Sequence, residues 1–283
     1  MSAEPAANED DGAGSPAALH LEAAALRFGD RTLWSDVNLD VRPGEFLAIL
    51  GPNGSGKTSL LRVLLGQLKL SSGDIRIAGK PVTRGNPAVG YIPQQKNLDP
   101  NTPLRGRDLV RMGVDGHKWG MGLRGRVIRQ QVDSLLDAVG ATDYADSPVG
   151  LLSGGEQQRL RVAQALASDP QLLLCDEPLL SLDLHHQRVV SALIDQRRRE
   201  HDTAVLFVTH EVNPILDLVD RVLYLVNGQF RIGTPDEVMN SETLSELYGT
   251  TIEVFEAAGR LIIVGADDNH AHHEAAQPRG ELI

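Results

Sequence analysis

The sequence predicts an α/β fold built around a parallel β-sheet. Three apolar runs have the length of buried strands, at Phe46–Leu50, at residues 172–175 and at Ala204–Val208. A helical pattern over residues 184–199 separates the last two runs, and this alternation is typical of parallel strands in a doubly wound sheet. The first run leads directly into the glycine-rich segment 51–58. The predicted fold class is therefore α/β, with a phosphate-binding type of loop at the end of a strand.

The composition fits one sizeable soluble core and excludes several classes of protein. The chain has 283 residues, 41% hydrophobic and 23% charged, so disorder of the whole chain is excluded. The net charge of −11 argues against general nucleic-acid binding. The single cysteine, Cys175, rules out an internal disulfide framework and is expected to be a small core residue. No apolar run approaches the ~18 to 20 residues that a transmembrane helix needs.

The N-terminal half predicts two strands, a helix and a helical insertion. Residues 1–18 are acidic and lack the apolar core of a secretory signal, so we expect a disordered extension. Residues 19–41 predict two strands around a turn at Gly29. Residues 57–66 place their leucines on one face of a helix. In residues 104–140 the strand signal disappears, which indicates a mostly helical insertion.

The C-terminal part predicts a hairpin and a small appendage. A short helix is expected after His210, followed by a hairpin over residues 221–232 that turns at Asn227. Residues 234–264 predict short helices and a second hairpin. The remainder, from Gly265, is polar and is expected to be mobile.

The segment 51–58 reads Gly-Pro-Asn-Gly-Ser-Gly-Lys-Thr, which matches the P-loop pattern between a strand and a helix. Its glycines let backbone N–H groups converge on phosphate oxygens, and the helix N-terminus adds about half a positive charge. Lys57 is expected to reach the β- and γ-phosphates of ATP, and Thr58 to place its hydroxyl on Mg²⁺. The alternative is a glycine-rich turn that binds no ligand. The predicted nucleotide-binding residues here are Gly51, Pro52, Asn53, Gly54, Ser55, Gly56, Lys57, Thr58 and Ser59.

Two adjacent carboxylates follow the second apolar run. Asp176 ends a predicted buried strand, where a carboxylate is costly unless it is paired or bound to a metal. We therefore expect Asp176 to be the second Mg²⁺ partner, acting through water. Successive residues at a strand end point in different directions, so Glu177 can polarise the attacking water as a general base. The alternative is a pair of solvated acids before a proline.

Four motifs occur in one order along the chain: GPNGSGKT at 51–58, YIPQQ at 91–95, LSGGEQQR at 152–159 and LLLCDEP at 172–178. This order resembles the ATP-binding cassette (ABC) family over nearly all of residues 19–234. The resemblance implies a P-loop ATPase core with an antiparallel β-subdomain and an inserted helical signature subdomain at about residues 104–160. Residues 235–264 are then a C-terminal appendage, and residues 265–283 a flexible tail that contains histidines.

The third motif implies that the site needs a second copy of the chain. In the family two cassettes pack head to tail, and each ATP lies between the P-loop of one chain and the signature motif of the other. Ser153, Gly154, Gly155 and Gln157 would therefore contact the partner's nucleotide, beside a helix N-terminus that favours the γ-phosphate. Ser153 and Glu156 also have capping-box spacing, so helix capping is an alternative that can coexist with this role.

Four further positions take their roles from the resemblance. Gln94 has the Q-loop position, which senses Mg²⁺ and the γ-phosphate, and Gln95 is the less favoured candidate. His210 matches the switch histidine that contacts the γ-phosphate, although a histidine at a strand end is otherwise often structural. Asp183 matches the D-loop aspartate, with serine where alanine commonly stands. Phe28 has the position of the aromatic residue that stacks on adenine, often tyrosine, and a core phenylalanine is the alternative.

A single cassette without membrane spans resembles the ATPase subunit of an importer. The implied partners are a second cassette, an integral membrane permease and, indirectly, an extracytoplasmic solute-binding protein, with the chain on the cytoplasmic face of the membrane. No nucleic-acid partner is expected. Basic residues of the insertion are candidates for permease contact, and a solvated basic surface is the alternative. They are Arg105, Arg107, Arg111, Lys118, Arg124, Arg126 and Arg129.

A further resemblance, to zinc and manganese importers, suggests the cargo. It is carried by the glycine-rich and basic segment 113–129 and by the Gly-Thr-Pro-Asp-Glu-Val-Met sequence that opens at Gly233. The tail adds His270, His272 and His273 beside acidic residues, a set suited to a loosely held divalent ion but also common by chance in polar tails. The alternatives are an importer subunit for another solute and a soluble ATPase of the iron-sulfur assembly type.

Overall fold

The computed structural model describes residues 17–94, 99, 102–116 and 125–265 as an α/β protein, the predicted fold class. The strands are β1 (Leu19–Phe28), β2 (Arg31–Val41), β3 (Phe46–Leu50), β4 (Ser72–Ile77), β5 (Lys80–Pro81), β6 (Val89–Ile92), β7 (Leu172–Asp176), β8 (Ala204–Val208), β9 (Arg221–Val226), β10 (Gln229–Gly233), β11 (Ile252–Ala257) and β12 (Arg260–Gly265). The helices are α1 (Lys57–Leu64), α2 (Gly106–Asp115), α3 (Gly125–Ala138), α4 (Gly154–Leu166), α5 (Leu184–His201), α6 (Pro235–Val238) and α7 (Ser241–Tyr248). Short 3-10 turns lie at Thr142–Tyr144, Val149–Leu151 and Asn213–Leu218.

The central sheet has the strand order β10-β9-β3-β8-β7-β6. Its neighbouring strands are parallel, except for the antiparallel pair β9 and β10 at one edge. Alternate residues of β3 face opposite sides of the sheet, so that Phe46 and Ala48 pack in one core and Leu47 and Ile49 in the other. β3, β7 and β8 are buried along their whole length. Burial on both faces explains why the sequence shows these strands as continuous apolar runs.

An antiparallel sheet covers one face of the central sheet. Its strand order is β2-β1-β4-β5, and its apolar side chains share a core with α1 and with β3, β7 and β8. β1 and β2 form the predicted pair of strands. The sequence analysis did not identify β4, β5 or β6. β4 exposes most of its side chains, β5 has two residues and β6 has four, so none of them contains an apolar run.

The insertion is helical where the structure describes it. α2 and α3 pack on each other and on α4, and their buried side chains include Val110, Val132 and Leu136. The same core continues under the central sheet, because α4 also contacts α5 and β6. α4 therefore connects the helical group to the sheet.

The C-terminal appendage consists of α6, α7 and a separate two-stranded sheet, β11 and β12. The predicted hairpins are present, one turning at Asn227 and one at Ala258 and Gly259. The element expected after His210 is a 3-10 turn rather than an α-helix. It begins at Asn213, and Pro214 is its second residue. Cys175 is buried and free, as expected of a core residue. Within the described ranges, no helix is both long and apolar enough to cross a membrane.

Candidate functional site

A sharp glycine turn joins β3 to α1 and forms one wall of the candidate site. Gly51 has φ +136°, and a Cβ there would lie 2.0 Å from the carbonyl oxygen of Leu225. Gly56 has φ +103°, and a Cβ there would lie 2.9 Å from Cδ1 of Trp34. Other residues would be strained at these φ angles and would collide with neighbouring atoms. The path of the loop therefore requires glycine at both positions.

Polar groups in the loop fit nucleotide phosphates. α1 begins at Lys57 without a side-chain cap, so its first N–H groups remain available at the helix end. The Oγ of Ser55 is buried and has no hydrogen-bond partner among the described residues. A buried hydroxyl without a hydrogen-bond partner is costly, and a phosphate oxygen would accept a hydrogen bond from it. The exposed Thr58 and half-buried Ser59 lie in the first turn of α1, where Thr58 can offer its hydroxyl to a metal ion.

Lys57 lies folded across the glycine loop. Its Nζ donates to the carbonyl oxygen of Gly51 at 2.6 Å and to that of Pro52 at 2.9 Å. Burial lowers the pKa of Lys57, while the nearby carboxylates of Glu177 and Asp176 act in the opposite direction. The ammonium group is thus held between the loop and the two adjacent carboxylates, where phosphate and metal charges are expected.

Asp176 is a buried carboxylate at the end of β7. Burial raises its pKa, and the neighbouring Glu177 raises it further. The hydroxyl of Tyr91, on the adjacent strand β6, donates to Oδ2 of Asp176 at 3.2 Å. Burial, with the charge of Asp176, raises the pKa of Tyr91 to about 12. The hydroxyl therefore stays protonated and can donate this hydrogen bond. A divalent cation would offset the cost of burying this carboxylate, and Asp176 therefore fits the predicted Mg²⁺ site.

The carboxylate of Glu177 contacts two of the other predicted residues, Gln94 and His210. Gln94 donates from Nε2 to Oε2 of Glu177 at 3.2 Å, and Nδ1 of His210 lies 3.6 Å from Oε1. The Glu177 side chain is 15% exposed and that of His210 is 53% exposed. Glu177 has φ +46°, and its N–H donates to the carbonyl oxygen of Val208 at 2.9 Å. A left-handed glutamate costs on the order of 1 to 3 kcal/mol, a type of strain that clusters at active sites.

The signature motif caps a helix, as its spacing allows. Ser153 is the N-cap of α4, and its side chain accepts a hydrogen bond from the Glu156 N–H. The Glu156 carboxylate in turn accepts from the Ser153 N–H at 2.8 Å. Gln157 is buried, and its Nε2 donates to the carbonyl oxygen of Leu152 at 3.0 Å. The capping alternative is therefore confirmed. Capping does not prevent the predicted contact with a partner's nucleotide, because Ser153 is exposed at the helix end beside Gly154.

A histidine connects Asp183, the predicted D-loop aspartate, to Gly155 of the predicted signature motif. Asp183 is the N-cap of α5 and accepts from the N–H of His186 at 2.9 Å. The same carboxylate pairs with Nδ1 of His186 at 2.8 Å. The His186 ring packs on Gly155, where an added Cβ would lie 2.1 Å from ring atom Cδ2. Gly155 is thus required by its own chain as well as by the proposed partner.

Phe28 lies at the exposed end of β1. Its side chain is 50% exposed, so the reading as a core phenylalanine is wrong. A cleft of about 260 Å³ lies beside the loop and is lined by Arg31, Pro52, Gly54 and Ser55. The Arg31 guanidinium donates to the carbonyl oxygen of Gly54 at 3.0 Å, which ties the turn after β1 to the loop. An exposed aromatic ring on this hairpin fits an adenine-stacking role.

The predicted residues form two separate groups. Lys57, Asp176, Glu177, Gln94 and His210 converge at one edge of the central sheet. The second group is Ser153, Gly155 and Asp183. Among the hydrogen bonds and ion pairs of the described ranges, none joins Ser153 or Gly155 to the glycine loop. Arg161 of α4 connects the two regions by donating to the Gln94 carbonyl oxygen at 3.5 Å.

Three contact residues were not singled out from the sequence: Tyr91, Arg161 and His186. Tyr91 is part of the YIPQQ motif, but its contact with Asp176 depends on β6 pairing with β7. The arginine and histidine lie on helices whose facing partners are distant in sequence. A strand prediction for residues 89–92 was the one signal that could have suggested Tyr91.

Several predicted residues lie outside the described ranges: Gln95, Lys118, Arg124, His270, His272 and His273. Part of the basic set is paired locally. Arg107 bonds Asp146 at 2.5 Å and Asp133 at 3.2 Å, and Arg111 pairs with Asp115 at 3.1 Å. These pairs favour the solvated-surface reading for Arg107 and Arg111. Among the described residues, no group of three or more metal-ligating side chains is present.

Comparison with known proteins identifies a family and relatives of similar length. A family model described as ABC transporter matches residues 34–180. The chain is 35% identical over 260 residues to the zinc import ATP-binding protein ZnuC of Pseudomonas fluorescens strain Pf0-1, covering 91% of this chain and 90% of the relative. The corresponding protein of strain ATCC BAA-477 / NRRL B-23932 / Pf-5 is 34% identical over 260 residues, with the same coverage.

Solved structures share the fold. An inward-facing ABC transporter described as of metal-chelate type matches with a TM-score of 0.74 and 27% identity, over 87% of this chain and 96% of that one. CbiO1 from Clostridium perfringens, part of the ABC transporter complex CbiONQ, matches with a TM-score of 0.69 and 26% identity, over 82% and 94%.

We predict that Lys57→Ala weakens ATP binding by about 10- to 100-fold, since a charge-assisted hydrogen bond contributes about 1.5 to 3 kcal/mol. Titration of the purified protein with a fluorescent ATP analogue measures the affinity. Lys80→Ala, which removes an exposed lysine on β5, is the matched control and should bind like the parent. Equal affinity in both variants would contradict the assignment of Lys57.

Proposed function

Because this chain belongs to the ABC transporter family, we propose that it is the ATP-hydrolysing subunit of an importer of a divalent metal, zinc or manganese. The convergence of Glu177 with Gln94 and His210 beside the glycine loop carries the proposal for hydrolysis. The 35% identity to a zinc import ATP-binding protein over most of both chains supports the cargo.

The glycine loop binds and orients the nucleotide. Its N–H groups, the Ser55 hydroxyl and the Lys57 ammonium face the phosphates, and Phe28 offers a ring face to the adenine. Thr58, Gln94 and Asp176 would hold Mg²⁺, which supplies positive charge against the phosphate oxygens when bound. Tyr91 keeps the Asp176 carboxylate oriented toward this position.

Glu177 is the proposed general base. Its carboxylate accepts a proton from the attacking water, and Gln94 orients it through the 3.2 Å hydrogen bond. His210 lies on the other side of Glu177 and is exposed enough to reach a phosphate oxygen. Asp176 bonds Tyr91 while Glu177 bonds Gln94, so the two adjacent carboxylates have different partners, and we assign the metal to Asp176 and the water to Glu177.

A second copy completes the site. Ser153, Gly154 and Gly155 lie at the N-terminus of α4, whose dipole favours an anionic group. Because this helix end has no polar contact with its own glycine loop in the described ranges, we propose that it faces the nucleotide of a partner chain, with Gln157 behind it and Asp183 at the contact. ATP binding then closes the dimer, and hydrolysis reopens it.

The closing and opening of the dimer would drive a membrane permease. We propose that the chain acts at the cytoplasmic face as a peripheral subunit, and that an extracytoplasmic solute-binding protein delivers the cargo. A metal chelate is a second candidate cargo, favoured by the 27% identity to a transporter described as of metal-chelate type.

Glu177→Gln should retain ATP binding and lower the hydrolysis rate by ~10² to 10⁴-fold, the range for a removed general base. Phosphate release and ATP affinity are measured on the same preparation. Glu211→Gln is the matched control, because it makes the same chemical change at an exposed carboxylate next to His210. Turnover of Glu177→Gln within threefold of the control would remove Glu177 from this role.

The tagged chain should be recovered from detergent-solubilised membranes with a polytopic membrane protein in near-stoichiometric yield. Cells that express the parent should also accumulate more zinc or manganese, measured by elemental analysis, than cells that express Glu177→Gln. A permease without a metal difference would point to a chelate or another solute. Recovery with soluble partners alone would contradict the importer and favour an assembly ATPase.

A further inference from the structure

His210, the predicted switch histidine, lies in the short segment between β8 and the 3-10 turn at Asn213–Leu218. The His210 side chain is 53% exposed, and its Nδ1 is 3.6 Å from Oε1 of Glu177. That distance permits an ion pair but exceeds the range of a hydrogen bond. A shift of a few tenths of an ångström in the backbone would therefore make or break the contact.

The start of this segment is fixed by β8 and the turn that follows it. The N–H of Thr209 donates to the carbonyl oxygen of Ile49 at 3.2 Å, which continues the parallel pairing with β3. The Thr209 hydroxyl donates to the carbonyl oxygen of Glu211 at 2.9 Å and accepts from the Glu211 N–H at 3.1 Å. One end of the His210 segment is thus part of the central sheet.

The other end is bonded to the C-terminal appendage. The Asn213 side chain donates from Nδ2 to the carbonyl oxygen of Leu261 at 3.0 Å, and its Oδ1 accepts from the Leu261 N–H at 2.8 Å. Leu261 lies in β12, which pairs on its other side with β11. The Asn213 side chain therefore lies at the edge of β12 that faces away from β11. It pairs with the N–H and C=O groups of Leu261 as the backbone of a neighbouring strand would.

The hairpin is itself anchored to the body of the protein at its other strand. The Ser245 hydroxyl of α7 bonds both backbone groups of Ile252, and Ser241 bonds those of Val254. Tyr248 of α7 lies with its hydroxyl 3.2 Å from that of Tyr224 on β9. The hairpin thus connects α7 and the central sheet to the His210 segment.

A cavity separates the hairpin from the glycine loop. It has a volume of about 290 Å³ and is lined by Gly51 and His210 on the nucleotide side and by Leu261 and Ile263 on the hairpin side. The cavity keeps the hairpin apart from the glycine loop on this side. A displacement of the hairpin would therefore be passed to the candidate site through Asn213, which bonds it directly. The family match, over residues 34–180, does not include the appendage.

We propose that the C-terminal hairpin positions His210 through the two hydrogen bonds of Asn213, so that Asn213 is a positioning residue for hydrolysis and the appendage can set the rate of the ATPase. This inference rests on the proposed function of His210. Asn213 itself touches no reacting atom.

The test compares Asn213→Ala with Ser245→Ala in the full chain. Both changes remove a two-bond link to the hairpin, but Ser245→Ala leaves the link to the His210 segment intact. We expect Asn213→Ala to lower kcat by roughly 10-fold or more, because misplacement of a reacting group is costly, with ATP KM within about threefold. Asn213→Asp keeps the acceptor for the Leu261 N–H but sets a carboxylate oxygen against the Leu261 carbonyl oxygen, so its kcat should also fall. This variant also decides the question if Asn213→Ala does not fold.

The direct readout is the imidazole resonance of His210 in ¹H–¹³C spectra, assigned by its loss in His210→Ala. We expect the resonance to move in Asn213→Ala and to remain in place in Ser245→Ala. An unchanged resonance with kcat within twofold of the parent would overturn the proposal, as would equal losses in the Asn213 and Ser245 variants. Since the resonance is observed without hydrolysis, absence of ATPase activity in the parent would refute the proposed function and leave this comparison valid.

Discussion

The parallel pairing of β3, β8, β7 and β6 is the constraint on which the candidate site depends. Parallel strands bring their carboxyl ends to one edge of a sheet. In this chain that edge receives the glycine loop after Leu50, the carboxylates of Asp176 and Glu177, the turn at His210 and the segment that carries Gln94. Residues far apart in sequence therefore meet within hydrogen-bond or ion-pair distance. β3, β7 and β8 are buried along their whole length, so the strands that lead to this edge lie in the core of the protein.

The second group of predicted residues is held by a different part of the structure. Ser153 and Glu156 form a capping box at the start of α4, and His186 connects Gly155 to Asp183. These contacts shape the signature motif inside one chain without placing it against that chain's own glycine loop. Arg161 joins α4 to Gln94. We infer that the motif is built to face outward, and that movements of the helical group reach the carboxylate edge through Gln94.

The sequence predicts those features that follow from local pattern or from motif order. The strands Phe46–Leu50 and Ala204–Val208 can be predicted because strands buried on both faces contain no polar residue. Lys57 can be predicted because its loop needs glycines at fixed spacing. β4 is missed because its side chains are mostly exposed. Tyr91, His186 and Asn213 are missed because their partners, Asp176, Gly155 and Leu261, are set by tertiary contacts that no short pattern specifies.

We propose that one chain holds half of the ATP site and that a second copy of the chain holds the rest. Mixing Lys57→Ala, which lacks a working glycine loop, with Ser153→Arg, which lacks a working signature motif, tests it most directly. In a mixed dimer one site combines the intact loop of one chain with the intact motif of the other. At an ATP concentration too low to occupy the Lys57→Ala loop, each variant alone is inactive, and random pairing restores about a quarter of the parent's turnover. A mixture no more active than its separate components, or Ser153→Arg as active alone as the parent, contradicts the claim.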